Sequence, residues 1–363
     1  MRQRAKTRQA FTLVELMLVI MIIAMLGAMT VVVSRSALEM AKRSKTEMTV
    51  ARIDGVITAM YEKYQYRKVD LTPYLNAIGY NAAGSDWWYT QGASLNFHTL
   101  PQVWKDGDRV SGSNNITNDP AINRAYYPPL IRLHVIRDTV RMDMPCWAAE
   151  IWGPITPDGG MDSDRSPSAL NEIYRDALYD ATGTIRDSSS ATSYRLSDFA
   201  ALSRIATWDI GQQATFNAEL LYLVVMNGDT DARSIFSERE IGDTNDNGLP
   251  EFLDGWGNPI HWFRQPVGLP ETDRQDGNGT DPLDPLDMDT NAFLTIPIIV
   301  SSGPDGLSGL DSGQIGLGGF GGAASWSAYT QNFVYPFQLN TACGAVDDPE
   351  QSKDNIHSHR VVR

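Results

Sequence analysis

A long apolar segment near the N-terminus constrains this chain more than any other feature. Residues 11–33 read FTLVELMLVIMIIAMLGAMTVVV and contain a single charged side chain, that of Glu15. At about 1.5 Å rise per residue, a helix of this length spans roughly 34 Å, enough to cross the hydrocarbon core of a bilayer. The preceding residues 1–10 carry four basic side chains and no acidic one. Because a basic flank stays in the cytoplasm, we expect a single-pass membrane protein with its C-terminal part outside.

An ordinary secretory signal and a plain signal anchor are the simpler interpretations of this segment. A secretory signal has an apolar region of about 7–15 residues followed by a small-residue cleavage site. Here the apolar run is longer, and no A-x-A sequence follows it. Neither interpretation accounts for Glu15, because a carboxylate in the bilayer core costs about 2.5–3.5 kcal/mol. We therefore expect Glu15 to have a function and a cationic partner.

The string RQAFTLVELMLVI, residues 8–20, resembles the cleavage and methylation site of type IV prepilins and type II secretion pseudopilins. The resemblance implies that a prepilin peptidase cuts between Ala10 and Phe11 and that the new N-terminus is methylated. Ala10 departs from the glycine that is usual there. The resemblance also implies that Glu15 pairs with the terminal amine of a neighbouring subunit in a filament. The spacing agrees, since Phe11 and Glu15 lie one helical turn apart on one face.

Apolar residues continue at helical spacing beyond the membrane segment. They predict one helix from about residue 11 to 66, roughly 84 Å long, whose second half packs on a globular head. The segment AKRSKTEMTVARIDGVITAMYEKYQY, residues 41–66, also resembles the corresponding part of major pseudopilins. The apolar positions of the second half are Ile53, Val56, Ile57, Met60, Tyr61 and Tyr64.

An acidic loop, residues 243–254 with the sequence DTNDNGLPEFLD, fits a calcium-loop pattern. Calcium takes six to eight oxygen ligands, which alternate residues of a tight loop can direct inward. Pro250, and Asp254 rather than Glu at the twelfth position, depart from the EF-hand pattern and favour a structural site over a sensor. The alternative is a loop of Asx turns that binds no ion. The predicted ligands are Asp243, Asn245, Asn247, the Leu249 carbonyl, Glu251 and Asp254.

Two later segments resemble parts of major pseudopilins. DGWGNPIHWFR, residues 254–264, is similar to a tight turn that enters a strand in that family. IPIIVSSGPDGLSGLDSG, residues 296–313, is similar to a strand followed by a calcium-binding loop. The resemblance makes four residues secondary calcium candidates: Ser302, Asp305, Ser308 and Asp311.

The resemblance to pilins and pseudopilins implies an α+β fold in which the long N-terminal helix packs on a small antiparallel sheet, with a large mixed insertion. Within that insertion, apolar spacing predicts short helices at 168–181 and 213–226, and leaves 130–136 open between strand and helix. We divide the chain into a basic leader (1–10), the transmembrane part of the helix (11–33), its amphipathic part (34–67), an inserted globular region (68–240), a calcium-loop and pseudopilin-like sheet region (241–345) and a C-terminal tail (346–363).

The composition and the absence of common enzyme motifs narrow the range of possible functions. The net charge of −14 becomes −18 without the four basic residues of the leader, which disfavours nucleic acid as a partner. No G-x-S-x-G, H-E-x-x-H or P-loop sequence occurs, so we expect no enzymatic activity. The two cysteines, Cys146 and Cys343, would form a disulfide in an oxidising periplasm only if their Cα atoms come close enough.

The function predicted from the sequence is that of a filament subunit whose head is stabilised by calcium. Its expected partners are other pilin or pseudopilin subunits, prepilin peptidase and the inner membrane. The leader is expected in the cytoplasm and the head in the periplasm, with a periplasmic or surface filament after assembly. The choice among secretion pseudopilus, type IV pilus and competence system stays open. The alternative function is a membrane-tethered calcium-binding receptor or adhesin that does not polymerise.

Overall fold

The computed structural model describes residues 13–69, 120–146, 150, 166–178, 210–266, 269, 272, 281–285, 296–310 and 344–361. The chain divides into two compact units, Met1–Lys45 and Thr46–Arg363. We call the second unit the head.

Helix α1 runs without interruption from Leu13 to Gln65, which confirms the long helix predicted from the sequence. An acidic side chain, Glu15, lies in its first turn and a basic one, Lys63, in its last turn, so both charges complement the helix dipole. The large apolar side chains in its first half are exposed, for example Val19 by 44% and Leu13 by 73%. Among the described residues, α1 is the helix that is long and apolar enough to span a membrane. This apolar helix fits a membrane anchor.

The second half of α1 belongs to the head and buries one face in its core. Val50, Ile53, Ile57, Met60 and Tyr64 are each at most 6% exposed and recur every three or four residues. This spacing places them on one side of the helix. They share a single hydrophobic cluster with residues of the other head helices and of the strands. The amphipathic pattern predicted from the sequence is therefore confirmed.

The described elements of residues 68–240 are helical. They are α2 (Pro120–Asp143), α3 (Ala169–Leu178), α4 (Ile210–Gly228) and α5 (Ala232–Ile235), followed by a 3₁₀ turn at Glu238–Glu240. Helices α3 and α4 confirm the two short helices predicted from apolar spacing. Residues 130–136 lie in α2, which settles the choice between strand and helix. Helix α4 contacts helices α3 and α5 and two of the strands that follow it.

Two small antiparallel sheets complete the head. Strands β1 (Ile241–Gly242) and β2 (Glu251–Phe252) form a hairpin around the acidic loop. Strands β3 (Ile260–Phe263), β4 (Ile298–Ser301) and β5 (Ile356–His357) form a three-stranded sheet in the order β3-β4-β5. The long helix α1 and the two small antiparallel sheets confirm the predicted α+β, pilin-like fold.

The third strand of the larger sheet comes from the segment that the sequence division assigned to a C-terminal tail. Strand β5 lies between two short helices, α6 (Pro349–Ser352) and α7 (Ser358–Val361). The His359 side chain is fully buried and hydrogen-bonds through Nε2 to the Pro297 carbonyl at 3.1 Å. The described part of the tail thus belongs to the folded head. A two-residue strand shows no alternation in the sequence, which is why the division missed it.

Candidate functional site

The N-terminal processing segment is described only in part. Glu15 is exposed in the first turn of α1. Ala10 and Phe11, the predicted cleavage and methylation positions, lie outside the described residues. The predicted pairing of Glu15 with the terminal amine of another subunit stays a prediction.

The acidic loop is a tight turn held by its own side chains. The Asp243 carboxylate accepts hydrogen bonds from the backbone N–H of Asn247 at 3.1 Å and of Gly248 at 2.7 Å. Gly248 has a φ of +85°, a left-handed conformation that glycine adopts without steric cost. Asn247 Oδ1 accepts from the backbone N–H of Leu249 at 2.8 Å. The loop therefore brings Asp243, Asn245 and Asn247 together within one turn, as the pattern predicts.

Glu219, which the sequence analysis did not single out, faces this loop from helix α4. Its Oε1 accepts hydrogen bonds from Asn245 Nδ2 at 3.0 Å and from Asn247 Nδ2 at 2.8 Å. The residue is 1% exposed, and its Oε2 has no hydrogen-bond partner among the described residues. Burial raises the pKa of Glu219 to about 8; the two amide hydrogen bonds oppose the rise, and the charges of Glu251 and Asp243 add to it. The signal in the sequence was a lone carboxylate within the apolar stretch of α4.

Glu251, at the start of β2, is also buried beside the loop. Its carboxylate accepts hydrogen bonds from the backbone N–H and the hydroxyl of Thr244, both at 3.1 Å. Burial raises the pKa of Glu251, against the lowering effect of the Thr244 hydrogen bonds. Glu251, Glu219 and Asp243 therefore all make hydrogen bonds to the same loop.

The Asp254 carboxylate accepts its hydrogen bonds from residues outside the acidic loop, and its predicted role as the closing calcium ligand stays a prediction. Its Oδ1 accepts hydrogen bonds from the backbone N–H of Trp256 at 2.8 Å and of Asn258 at 2.9 Å. Its Oδ2 accepts from the Ser301 hydroxyl at 2.8 Å. Both carboxylate oxygens of this buried residue are thus engaged in holding the DGWGNP turn (residues 254–259) and β4. Asp254 is the last residue of the acidic loop and the first residue of the turn. Its side chain hydrogen-bonds within the turn and to β4.

Calcium binding by the acidic loop stays a prediction. No group of three or more His, Cys, Asp or Glu side chains that could hold a metal occurs within the described part of the chain. Calcium, however, also takes amide and backbone carbonyl oxygens, and Asn245, Asn247 and Leu249 offer these. A site here would combine a few carboxylates with neutral oxygens.

The DGWGNP turn and the second candidate calcium loop lie side by side. Asn258 Nδ2 donates to the Gly303 carbonyl at 2.7 Å, and the backbone N–H of Gly255 donates to the Thr46 hydroxyl on α1 at 2.8 Å. These bonds tie the turn to both the 3₁₀ turn Gly303–Asp305 and the long helix. The two segments that resemble pseudopilins are therefore neighbours in space.

The secondary calcium candidates make local turn contacts. Asp305 Oδ1 accepts from the backbone N–H of Leu307 at 2.9 Å, and Ser308 Oγ accepts from that of Leu310 at 3.5 Å. Ser302 is buried immediately before the 3₁₀ turn. Asp311 lies outside the described residues, so calcium binding by this loop stays a prediction.

The predicted disulfide also stays a prediction. Cys146 is buried, and its backbone N–H donates to Glu150 Oε2 at 2.6 Å. Cys343 lies outside the described residues.

Comparison with known proteins identifies one segment. Residues 5–31 match the family model described as the prokaryotic N-terminal methylation motif. No curated protein and no solved structure shows significant similarity to the chain. The matched segment includes Ala10, Phe11 and Glu15, and α1 begins within it. At this coarse level, the chain is similar to type IV pilin-like subunits that are processed and methylated at the N-terminus and assemble with other pilin subunits.

Proposed function

We propose that the protein is a structural subunit of a pilus-like filament, cut before Phe11 by prepilin peptidase and methylated on the new N-terminus. The match of residues 5–31 to the N-terminal methylation motif is the observation that carries the proposal. The precursor spans the inner membrane once, with its leader in the cytoplasm and its head in the periplasm. Its partners are other pilin or pseudopilin subunits.

The first half of α1 has the surface that such a subunit needs. Its large apolar side chains are exposed, and the most apolar window of the helix is entirely unburied. Lipid covers this surface in the precursor, and neighbouring helices would cover it in a filament. Glu15 is the exception on this surface, and pairing with the Phe11 amine of another subunit would offset its charge.

The second half of α1 is fastened to the head by polar contacts as well as by the core. Buried Glu240 accepts a hydrogen bond from the Thr49 hydroxyl at 2.6 Å and forms an ion pair with Arg52. At the C-terminal end of α1, the Tyr64 hydroxyl donates to Asp143 Oδ2 at 2.7 Å. These contacts suit a helix that carries its head into an assembly.

Among filament systems, we favour a type II secretion pseudopilus. The proposal rests on the resemblance of the DGWGNP turn and of residues 296–313 to major pseudopilins. The contact between Asn258 and Gly303 supports it, because it makes these two segments one structural unit. A type IV pilus is the nearest alternative. Calcium is part of the proposal as the ion for the acidic loop.

Replacement of Glu15 by Ala tests the filament role. The variant should reach the membrane in normal amount, whereas the yield of filaments sheared from cells and collected by sedimentation should fall to background. Glu39→Ala is the matched control, since Glu39 is an exposed glutamate further along α1 that forms a 3.9 Å ion pair with Lys42. Normal filament yield from Glu15→Ala would contradict the proposal. Absence of filaments from wild-type cells would favour the non-polymerising receptor.

A further inference from the structure

The stretch of α1 just beyond the apolar segment carries a concentrated positive charge. Residues 34–45 contain four basic side chains and one acidic one, whereas residues 46–363 contain 22 basic and 42 acidic side chains, a formal net charge of −20. We call the four the basic stripe: Arg35, Lys42, Arg43 and Lys45. Basic residues favour the cytoplasmic side of a span. Membrane insertion therefore gives no reason for this charge on the outer side.

The basic stripe is accessible and lies along one side of α1. Arg35 and Arg43 are exposed, and the Lys42 side chain is 44% exposed. Residues seven apart lie on nearly the same side of a helix. The series that starts at Arg35 and Lys42 continues with Thr49, which is 0% exposed, and Val56, which is 6% exposed. The side of α1 that is buried by protein in its second half is thus basic and accessible just before that half.

Distance from the bilayer favours a protein partner over lipid headgroups. The apolar segment ends at residue 33, and the headgroup layer adds about 5–8 Å on each side of the hydrocarbon core. At about 1.5 Å per residue, Lys42 to Lys45 lie roughly 14–18 Å beyond the end of that segment. Three of the four basic residues are therefore placed beyond the headgroups, and only Arg35 lies within their reach.

We propose that the basic stripe is a docking surface for the acidic head of a second copy of this chain. Copies that pack through the first halves of their α1 helices and follow one another along a filament are displaced along the helix axis. The head of one copy then comes level with the basic stripe of another. Opposite charge favours this contact and disfavours registers that bring two acidic heads together. The inference rests on the proposed filament function and names the chemistry of one of its subunit contacts.

Carbodiimide cross-linking of filaments sheared from cells tests this contact, because the reagent joins an amine to a carboxylate where the two are already in contact. Wild-type filaments should yield covalent dimers in which Lys42 or Lys45 is joined to a carboxylate of residues 46–363, as identified by mass spectrometry. The double variant Lys42→Arg/Lys45→Arg keeps the charge and removes both amines, so it should assemble normally and lose these cross-links. Wild-type filaments without such dimers, or with these cross-links in monomers alone, would overturn the proposal.

Reversal of charge provides a second test that needs no reagent. Lys42→Glu/Arg43→Glu should lower the yield of sheared filaments at least about tenfold, because it sets carboxylates against an acidic head. The amount of protein in the membrane should stay normal. The matched control is Lys63→Glu, at an exposed basic position near the end of α1, and it should assemble as the wild type does.

The outcomes of the reversal separate this inference from the proposed function. Normal filament yield from the reversed variant would overturn the docking surface and leave the filament role intact. A reduced amount of the reversed variant in the membrane would assign the basic stripe to lipid and would also overturn the proposal. Absence of filaments from wild-type cells would overturn the filament role and this contact together.

Discussion

Asn258 donates a hydrogen bond from Nδ2 to the backbone oxygen of Gly303 at 2.7 Å, across 45 residues of sequence. This bond joins the DGWGNP turn to the 3₁₀ turn after β4. Next to it, Ser301 donates to Asp254 at 2.8 Å, so two long-range hydrogen bonds connect the same two segments. The turn that enters β3 and the turn that leaves β4 are thereby held at one end of the sheet.

Loss of the Asn258 side chain should destabilise the head. Asn258→Ala leaves the Gly303 carbonyl without this partner, and we expect the free energy of unfolding to fall by about 1–2 kcal/mol. Urea denaturation followed by circular dichroism measures it. Asn227→Ala is the control, because Asn227 Nδ2 donates to the Leu223 carbonyl one turn back, a bond within α4 itself. Equal stability of Asn258→Ala and wild type would show that the bond does not hold the two turns together.

Glu240 should make the head sensitive to acid. Burial acts to raise its pKa, but hydrogen bonds from Thr49 and Ser237 and the charge of Arg52 prevail and lower the pKa to about 2. Because the folded-state pKa lies below the unfolded value of 4.5, this stability is present above about pH 4.5 and is lost as the pH falls towards 2. Its size is about 2–3 kcal/mol after allowance for the partial exposure of Arg52.

Glu240→Gln measures that contribution directly. The variant should be less stable than wild type at neutral pH, and the gap should close as the pH falls from about 4.5 to about 2. Thermal or urea unfolding at a series of pH values follows the gap. A gap that stays constant through this window would mean that Glu240 has an ordinary pKa in the folded head.

Removal of one partner of the Arg264–Glu150 ion pair should destabilise the head. Both side chains are buried, and Arg264 also donates to the Met144 carbonyl at 2.8 Å. Glu150→Ala would leave a buried guanidinium without its carboxylate, which typically costs about 3–5 kcal/mol. The exposed pair Lys353–Glu350 is the control, and Glu350→Ala should leave the unfolding midpoint unchanged. Similar midpoints for the two variants would contradict a buried, desolvated Arg264.

Much of the fold could be predicted because its helices have strong apolar periodicity. Ile53, Ile57, Met60 and Tyr64 recur at helical spacing, and all of them lie in the core. Strand β5 could not be predicted, because two residues carry no alternating pattern and pair with β4 only in the tertiary structure. The local sequence pattern therefore predicts the long helices, whereas the short strand β5 depends on long-range contacts.

The candidate site shows the same limit. The pattern of residues 243–254 correctly brought Asp243, Asn245 and Asn247 into one tight turn, because those contacts are local in sequence. It could not find Glu219, which reaches the loop from α4 some 26 residues away from Asn245. Nor could it decide the role of Asp254, which ends one motif and begins the next. Only the tertiary contact with Ser301 shows that this carboxylate serves the turn.

The mass and N-terminal sequence of the mature protein, isolated from membranes of its native host, test the central claim most directly. The account predicts a chain that begins at Phe11 and is heavier by one methyl group than the unmodified peptide. Phe11 would then provide the amine that Glu15 of another subunit pairs with. An intact start at Met1, or a start near residue 35 after ordinary secretory cleavage, would contradict it.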